Sequence, residues 1–194
     1  MIRALRDWQF SCINLALEHF TVTPNFFCQA TPGAGKTRMA AELASRLLEQ
    51  GKIDLVLCFA PSCQVVEGFR STFAAVLGRR LDGRIGAVGA AFTYQAMEYR
   101  DEGFWQLLDD YRVLVVFDEI HHCAGHDPLL SNAWGQQILH RIQDRAAFTL
   151  ALSGTPWRSD DRAIALARYS TPEGQLNCDY RYGLKEAIAD GVCR

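Results

Sequence analysis

The sequence predicts an α/β fold: a parallel β-sheet with helices on both faces, a three-layer sandwich. Two observations predict it. Four short stretches, Phe26–Ala30, Ile53–Ala60, Val113–Phe117 and Ala147–Leu152, are almost continuously apolar. Strands buried on both faces read this way, whereas half-exposed strands alternate. Between these stretches, apolar residues recur at helical spacing. Alternating strands and helices give a parallel sheet with right-handed crossovers.

In chain order, Leu5, Trp8, Ile13 and Leu17 mark a first helix before the first strand. Met39, Leu43, Leu47 and Leu48 mark a second, stopped by Gly51. Val65, Val66, Phe69, Phe73 and Val76 give a third, ending near Gly78 and followed by a weaker strand candidate, Ala90–Tyr94. Trp134, Ile138 and Ile142 give a fourth. Ser170–Tyr180 is polar, contains Pro and Gly, and reads as a loop before a last short helix at Leu184–Asp190.

A chain of 194 residues fits one domain, taken here as 1–194. Hydrophobic content of 49% with 22% charged residues excludes a disordered chain. A net charge of −2 offers no basic excess, so a nucleic acid would have to be gripped by a local patch. Seven cysteines form no CxxC pair, and Cys12, Cys28 and Cys58 sit in apolar runs where a thiol packs as a small hydrophobe. The expectation is a reduced, cytoplasmic protein. Met1–Asp7 lacks a signal-peptide core, and no apolar run approaches the ~20 residues that span a bilayer.

The chemically unusual residues fall at the carboxyl ends of the predicted strands, where open α/β sheets bind ligands. After Ala30 comes Thr31-Pro32-Gly33-Ala34-Gly35-Lys36-Thr37-Arg38, a P-loop with Ala in place of its first Gly. Glycines let backbone N–H groups close around phosphate oxygens, and the following helix start adds partial positive charge. Lys36 would reach the β/γ-phosphates, and the Thr37 hydroxyl would hold Mg²⁺. Only three lysines occur: Lys36, Lys52 and Lys185. The third strand delivers Asp118-Glu119. A strand-end Asp of this kind orders the Mg²⁺ shell, and Glu119 is placed to orient and deprotonate water.

With the P-loop, Asp118-Glu119-Ile120-His121 resembles the DExH box of helicase superfamily 2. Other segments fall in that family's order. Leu5-Arg6-Asp7-Trp8-Gln9 is similar to its Q motif, Ala60-Pro61-Ser62 with Gln64 to motif Ia, and Phe92-Thr93-Tyr94-Gln95 to the segment after Ia. Leu152 to Arg158, containing Ser153-Gly154-Thr155, is similar to motif III. The flavour is that of type III restriction-enzyme motors and phage- or repair-type DNA helicases. The resemblance implies a P-loop NTPase (RecA-like) ATP-binding domain that uses ATP and Mg²⁺, with Lys36, Asp118 and Glu119 catalytic. It implies that Gln9, with Arg6, reads the adenine edge. It also implies that His121, Ser153 and Thr155 couple nucleotide state to motif II, and that Ser62, Gln64, Thr93 and Tyr94 touch nucleic acid, DNA rather than RNA. Two departures are visible: Gly154 where Ala is usual, and Ala30 opening the P-loop. In the family, ATP sits between two RecA-like domains, the second carrying arginine fingers; the segment near Arg194 resembles the crossing into it. The expectation is a first domain alone, without the second RecA-like partner.

Three rival readings explain less. His121, His122, Cys123 and His126 lie too close in sequence to converge easily on one tetrahedral zinc. A small-molecule P-loop kinase leaves Gln9 and the DExH box unexplained. A nucleotide-binding module without turnover remains open, because half of the family's active site lies elsewhere. Among the tryptophans, Trp134 reads as core, and Trp157, beside motif III, is divided between core and a base-stacking surface.

Overall fold

The computed structural model describes residues 4–120, 139–154, 168–170 and 175–192. Its centre is a six-stranded sheet, β1 (Asn25–Ala30), β2 (Leu55–Ala60), β3 (Gly89–Thr93), β4 (Val113–Phe117), β5 (Phe148–Ser153) and β8 (Tyr180–Tyr182). The strands lie in the order β3-β2-β4-β5-β1-β8, and every pairing is parallel. Strands β6 (Arg168–Ser170) and β7 (Gln175–Asn177) form a separate antiparallel pair.

The expected near-continuous runs have the expected cause. Along β4, Leu114 and Val116 enter one buried cluster, while Val113, Val115 and Phe117 enter another. On the first face lie α1 (Asp7–His19), α2 (Lys36–Glu49) and α3 (Cys63–Leu77), contributing Ile13, Met39, Leu43, Leu47, Phe69 and Phe73. The opposite face is covered from a 3₁₀ turn (Tyr94–Met97), the short helices α4 (Glu102–Trp105) and α5 (Leu107–Asp110), and Ile142 in the π-helical turn Leu139–Gln143. A strand covered on both sides has no face left for polar residues. Cys12, Cys28 and Cys58 are fully buried within the first cluster, as small hydrophobes would be.

One expectation fails. The span 170–180 is no plain loop, since it contains β7, and β8 starts at Tyr180. β8 pairs with β1 through Cys28↔Tyr180 and Ala30↔Tyr182, and it widens the sheet beyond the P-loop strand. The final helix α6 (Leu184–Ala189) follows as expected. Trp134, His121, His122, Cys123, His126, Thr155, Trp157 and Arg158 lie outside the described residues. Among the described residues, no helix is long and apolar enough to cross a membrane.

Candidate nucleotide site

The strand order brings the site together. β5 lies between β1 and β4, with Gln29 opposite Ser153 and Phe117 opposite Ala151. The P-loop leaves β1, Asp118-Glu119 leaves β4 and Ser153-Gly154 ends β5, so three distant segments meet at one sheet edge.

The P-loop turns at Gly35, whose φ of 94° is the left-handed conformation that glycine tolerates, and α2 begins at Lys36. Thr31 N–H donates to the Tyr182 carbonyl at 3.0 Å, and Ala34 N–H to the Thr31 carbonyl at 3.1 Å. The loop is therefore pinned by β8, a support the sequence reading missed because three residues are too few to show a period. Pro32 and Gly33 are exposed at the loop crest, while Ala34 is buried.

Arg6 and Gln9 hold the loop from behind. The Arg6 guanidinium donates to the Ala34 carbonyl. Gln9 Nε2 donates to the Gly35 carbonyl at 2.9 Å, and Gln9 Oε1 accepts the Arg6 N–H at 2.9 Å. Gln9 is only 4% exposed. Both ends of its amide, expected on an adenine edge, are here engaged within the protein.

Lys36 is buried, with Nζ 3.0 Å from Glu119 Oε1 and donating to the Ala30 carbonyl at 3.1 Å. Glu119 Oε2 accepts the Gly154 N–H at 2.8 Å. One carboxylate thus joins the P-loop, the DExH segment and motif III. Glu119 has φ of 49°, the one positive value among the described non-glycine residues. An Ala at 154 would fit tightly: its Cβ would stand 3.0 Å from Glu119 Oε1, 3.2 Å from Pro32 Cγ and 3.3 Å from Lys36 Nζ, so these neighbours would have to give by a few tenths of an ångström.

Asp118 is buried, and its carboxyl is pushed up to about 6, first by burial and then by the charge of Glu119, with Lys36 pulling the other way. Among the described residues, its Oδ1 is buried without a hydrogen-bond partner. A desolvated carboxylate oxygen of this kind suits a cation, and Asp118 with the half-buried Thr37 hydroxyl is an all-oxygen donor set fitting Mg²⁺.

Other expected residues divide. Arg38 pairs with Glu42 one turn along α2. Ser62 caps α3, accepting the Val65 N–H at 3.4 Å; it and Gln64 are exposed, and Thr93 is half-buried. Since Ala60 pairs with Thr93, the ends of β2 and β3 present Ser62, Gln64 and Thr93 along the same edge. Tyr94 does not join them. It is 1% exposed, with its hydroxyl donating to the Asp118 carbonyl at 2.9 Å, so its ring belongs to the core rather than to a nucleic-acid surface. Ser153 is fully buried at the end of β5.

Residues 2–158 match the family described as "Type III restriction enzyme, res subunit". The chain belongs to this family. Two mycobacterial proteins, both described as uncharacterized, resemble this res-subunit domain along its length. ML1624 of Mycobacterium leprae (strain TN) is 32% identical over 206 residues, covering 99% of this chain and 33% of that protein. Rv2917 of Mycobacterium tuberculosis (strain ATCC 25618 / H37Rv) is 33% identical over 203 residues, covering 98% and 32%. The chain thus spans about a third of the length of the curated relatives it matches.

Solved structures share the fold. A nuclease-deletion mutant of the Type ISP restriction-modification enzyme LlaGI, in complex with a DNA substrate mimic, aligns with a TM-score of 0.69 at 15% identity, over 98% of this chain and 21% of that one. The Hef helicase domain of Pyrococcus furiosus gives 0.61 at 19% identity, over 88% and 37%. The UvsW helicase of bacteriophage T4 gives 0.60 at 14% identity, over 92% and 59%. With the family match, this shared fold makes the res-subunit domain a RecA-like, superfamily 2 helicase-type ATP-binding domain.

Proposed function

We propose that this domain binds ATP with Mg²⁺ and, joined to a second RecA-like domain, couples hydrolysis to movement on DNA. The observation that carries the reading is the Glu119 carboxylate, shared between Lys36 Nζ and the Gly154 N–H. Lys36 offers its charge to the phosphates, and moving toward them frees Glu119 Oε1 to take a proton from the attacking water. Gly154 N–H keeps the other oxygen, and so the direction of the carboxylate, through that exchange. Thr37 and Asp118 would hold Mg²⁺, which supplies charge neutralisation at the phosphates. DNA is favoured over RNA because LlaGI carries a DNA substrate mimic and the Sulfolobus solfataricus SWI2/SNF2 ATPase core is in complex with dsDNA. Ser62, Gln64 and Thr93 are the contacts proposed for the strand.

In the resembled superfamily the second domain supplies an arginine finger, which contributes about 10³–10⁵ in rate. The 194-residue chain should therefore bind nucleotide but turn ATP over very slowly, with little stimulation by DNA. Calorimetry with ADP and Mg²⁺ tests the first part: binding is expected in wild type and absent in Lys36→Ala. Equal affinity in both would remove the P-loop reading. ATPase turnover with and without single-stranded DNA, repeated on Glu119→Gln, tests the second.

A further inference from the structure

We infer that Tyr94 is a positioning residue for the Asp118-Glu119 pair, setting the direction of both carboxylates through the peptide that joins them. The inference rests on the reading above that Asp118 serves Mg²⁺ and Glu119 the attacking water. Its grounds are geometric. Asp118 is held at both ends of its backbone: its N–H donates to the Phe59 carbonyl at 2.9 Å, and its carbonyl accepts the Tyr94 hydroxyl at 2.9 Å. That carbonyl belongs to the same rigid plane as the Glu119 N–H. Immediately after this plane the chain turns through φ of 49° at Glu119, a conformation that L side chains rarely adopt and that persists only where the surroundings enforce it.

Contacts that enforce it include those of Lys36 and Gly154 on the Glu119 side chain and that of Tyr94 on the peptide. Of these, the Tyr94 contact is the one made to the backbone and the one that comes from the β3 side of the sheet. β2 lies between β3 and β4, so the Tyr94 ring spans a strand's width to reach Asp118. Met97 and Trp105 belong to the same buried cluster, which fixes the ring's place. Thr93, the neighbouring residue, is at the edge proposed to meet DNA. A shift there is transmitted along one residue to Tyr94, and from its hydroxyl to the peptide that aims the carboxylates.

Tyr94→Phe removes the hydroxyl and keeps the ring. The test measures ADP affinity of the 194-residue chain by calorimetry with EDTA and with Mg²⁺, alongside hydrogen exchange at residues 118–120 without nucleotide. The expected result is unchanged metal-free affinity, an Mg²⁺-dependent gain reduced about fivefold to tenfold, and faster exchange at the Glu119 amide. Met97→Leu, a packing change in the same cluster, should keep the gain. An intact gain in Tyr94→Phe, an equal loss with and without metal, or a matching loss in Met97→Leu would overturn the inference. Asp118→Asn separates the two levels. If it abolishes the gain while Tyr94→Phe keeps it, only the role of Tyr94 falls. If wild type shows no gain, or Asp118→Asn retains it, the reading of Asp118 falls and this inference with it.

Discussion

Replacing Asp118 by Asn should make the nucleotide-free chain more stable, by an amount that depends on pH. Asp118 is 7% exposed, and its carboxyl ionises near pH 6 because burial and the Glu119 charge disfavour the anion. In the unfolded chain the same group ionises at about 3.9. The folded pKa is raised, so the unfolded state gives up its proton first and stability falls as pH rises through this window. The cost is absent below about pH 3, reaches about 1 kcal/mol at about pH 4.5 and about 3 kcal/mol at about pH 7.5, and is flat above that. Asn keeps the shape and carries no charge. The advantage of the variant over wild type should therefore widen from about 1 to about 3 kcal/mol between those two pH values, or roughly 6–12 °C in Tm at the higher one. Urea unfolding of both proteins at the two pH values, with equal m-values, reads the difference directly. Adding excess Mg²⁺ to the ADP-saturated proteins should stabilise wild type further and leave the ADP-bound Asp118→Asn variant unmoved. A gap that stays constant with pH, or a variant less stable than wild type at the higher pH, would show that Asp118 is not a destabilised anion.

The support of the P-loop by Gln9 gives a second expectation. Because Gln9 holds the Gly35 carbonyl and the Arg6 N–H, Gln9→Ala should weaken ADP and base-free tripolyphosphate alike, by about fivefold to tenfold in calorimetry. A loss confined to the adenine nucleotide would return Gln9 to base recognition. Gly89→Ala tests the sheet itself: an added Cβ would lie 1.7 Å from the Val56 carbonyl oxygen, so β3 must separate from β2 or bend. A loss of about 3 kcal/mol or more in urea unfolding is expected, and a loss under about 1 kcal/mol would contradict the geometry.

How much of this was legible depended on how many neighbours each segment has. Val113–Phe117 lies between β2 and β5 with apolar clusters on both faces, and its composition records that burial; sequence and structure give it the same limits. β8 pairs on one side only, is three residues long, and keeps Arg181 exposed, so nothing in Tyr180–Tyr182 distinguishes it from a loop. α4 and α5 are four residues each, about one turn, too short for a period to appear. At the site, residue types announced Lys36, Asp118 and Glu119, because buried charge beside glycine turns has few other uses. The contacts of Gln9 and Tyr94 were not legible. Each depends on a backbone carbonyl, Gly35 or Asp118, and carbonyls are the same in every residue.

That dependence on backbone groups extends to residue 154 of motif III. β1 and β4 carry the two halves of the nucleotide site but are not neighbours, so whatever ends β5 must fill the gap between them. A side chain at that point would press on both halves, since a Cβ at 154 would approach Glu119 Oε1 and Lys36 Nζ to 3.0 and 3.3 Å. The backbone N–H at 154, which any residue but proline carries, satisfies one Glu119 oxygen and lets the other reach Lys36. Glu119 in turn holds an unfavourable backbone angle that these contacts stabilise. The close fit at 154 and the positive φ at 119 thus belong to one arrangement, the closure of three strand ends around a single carboxylate.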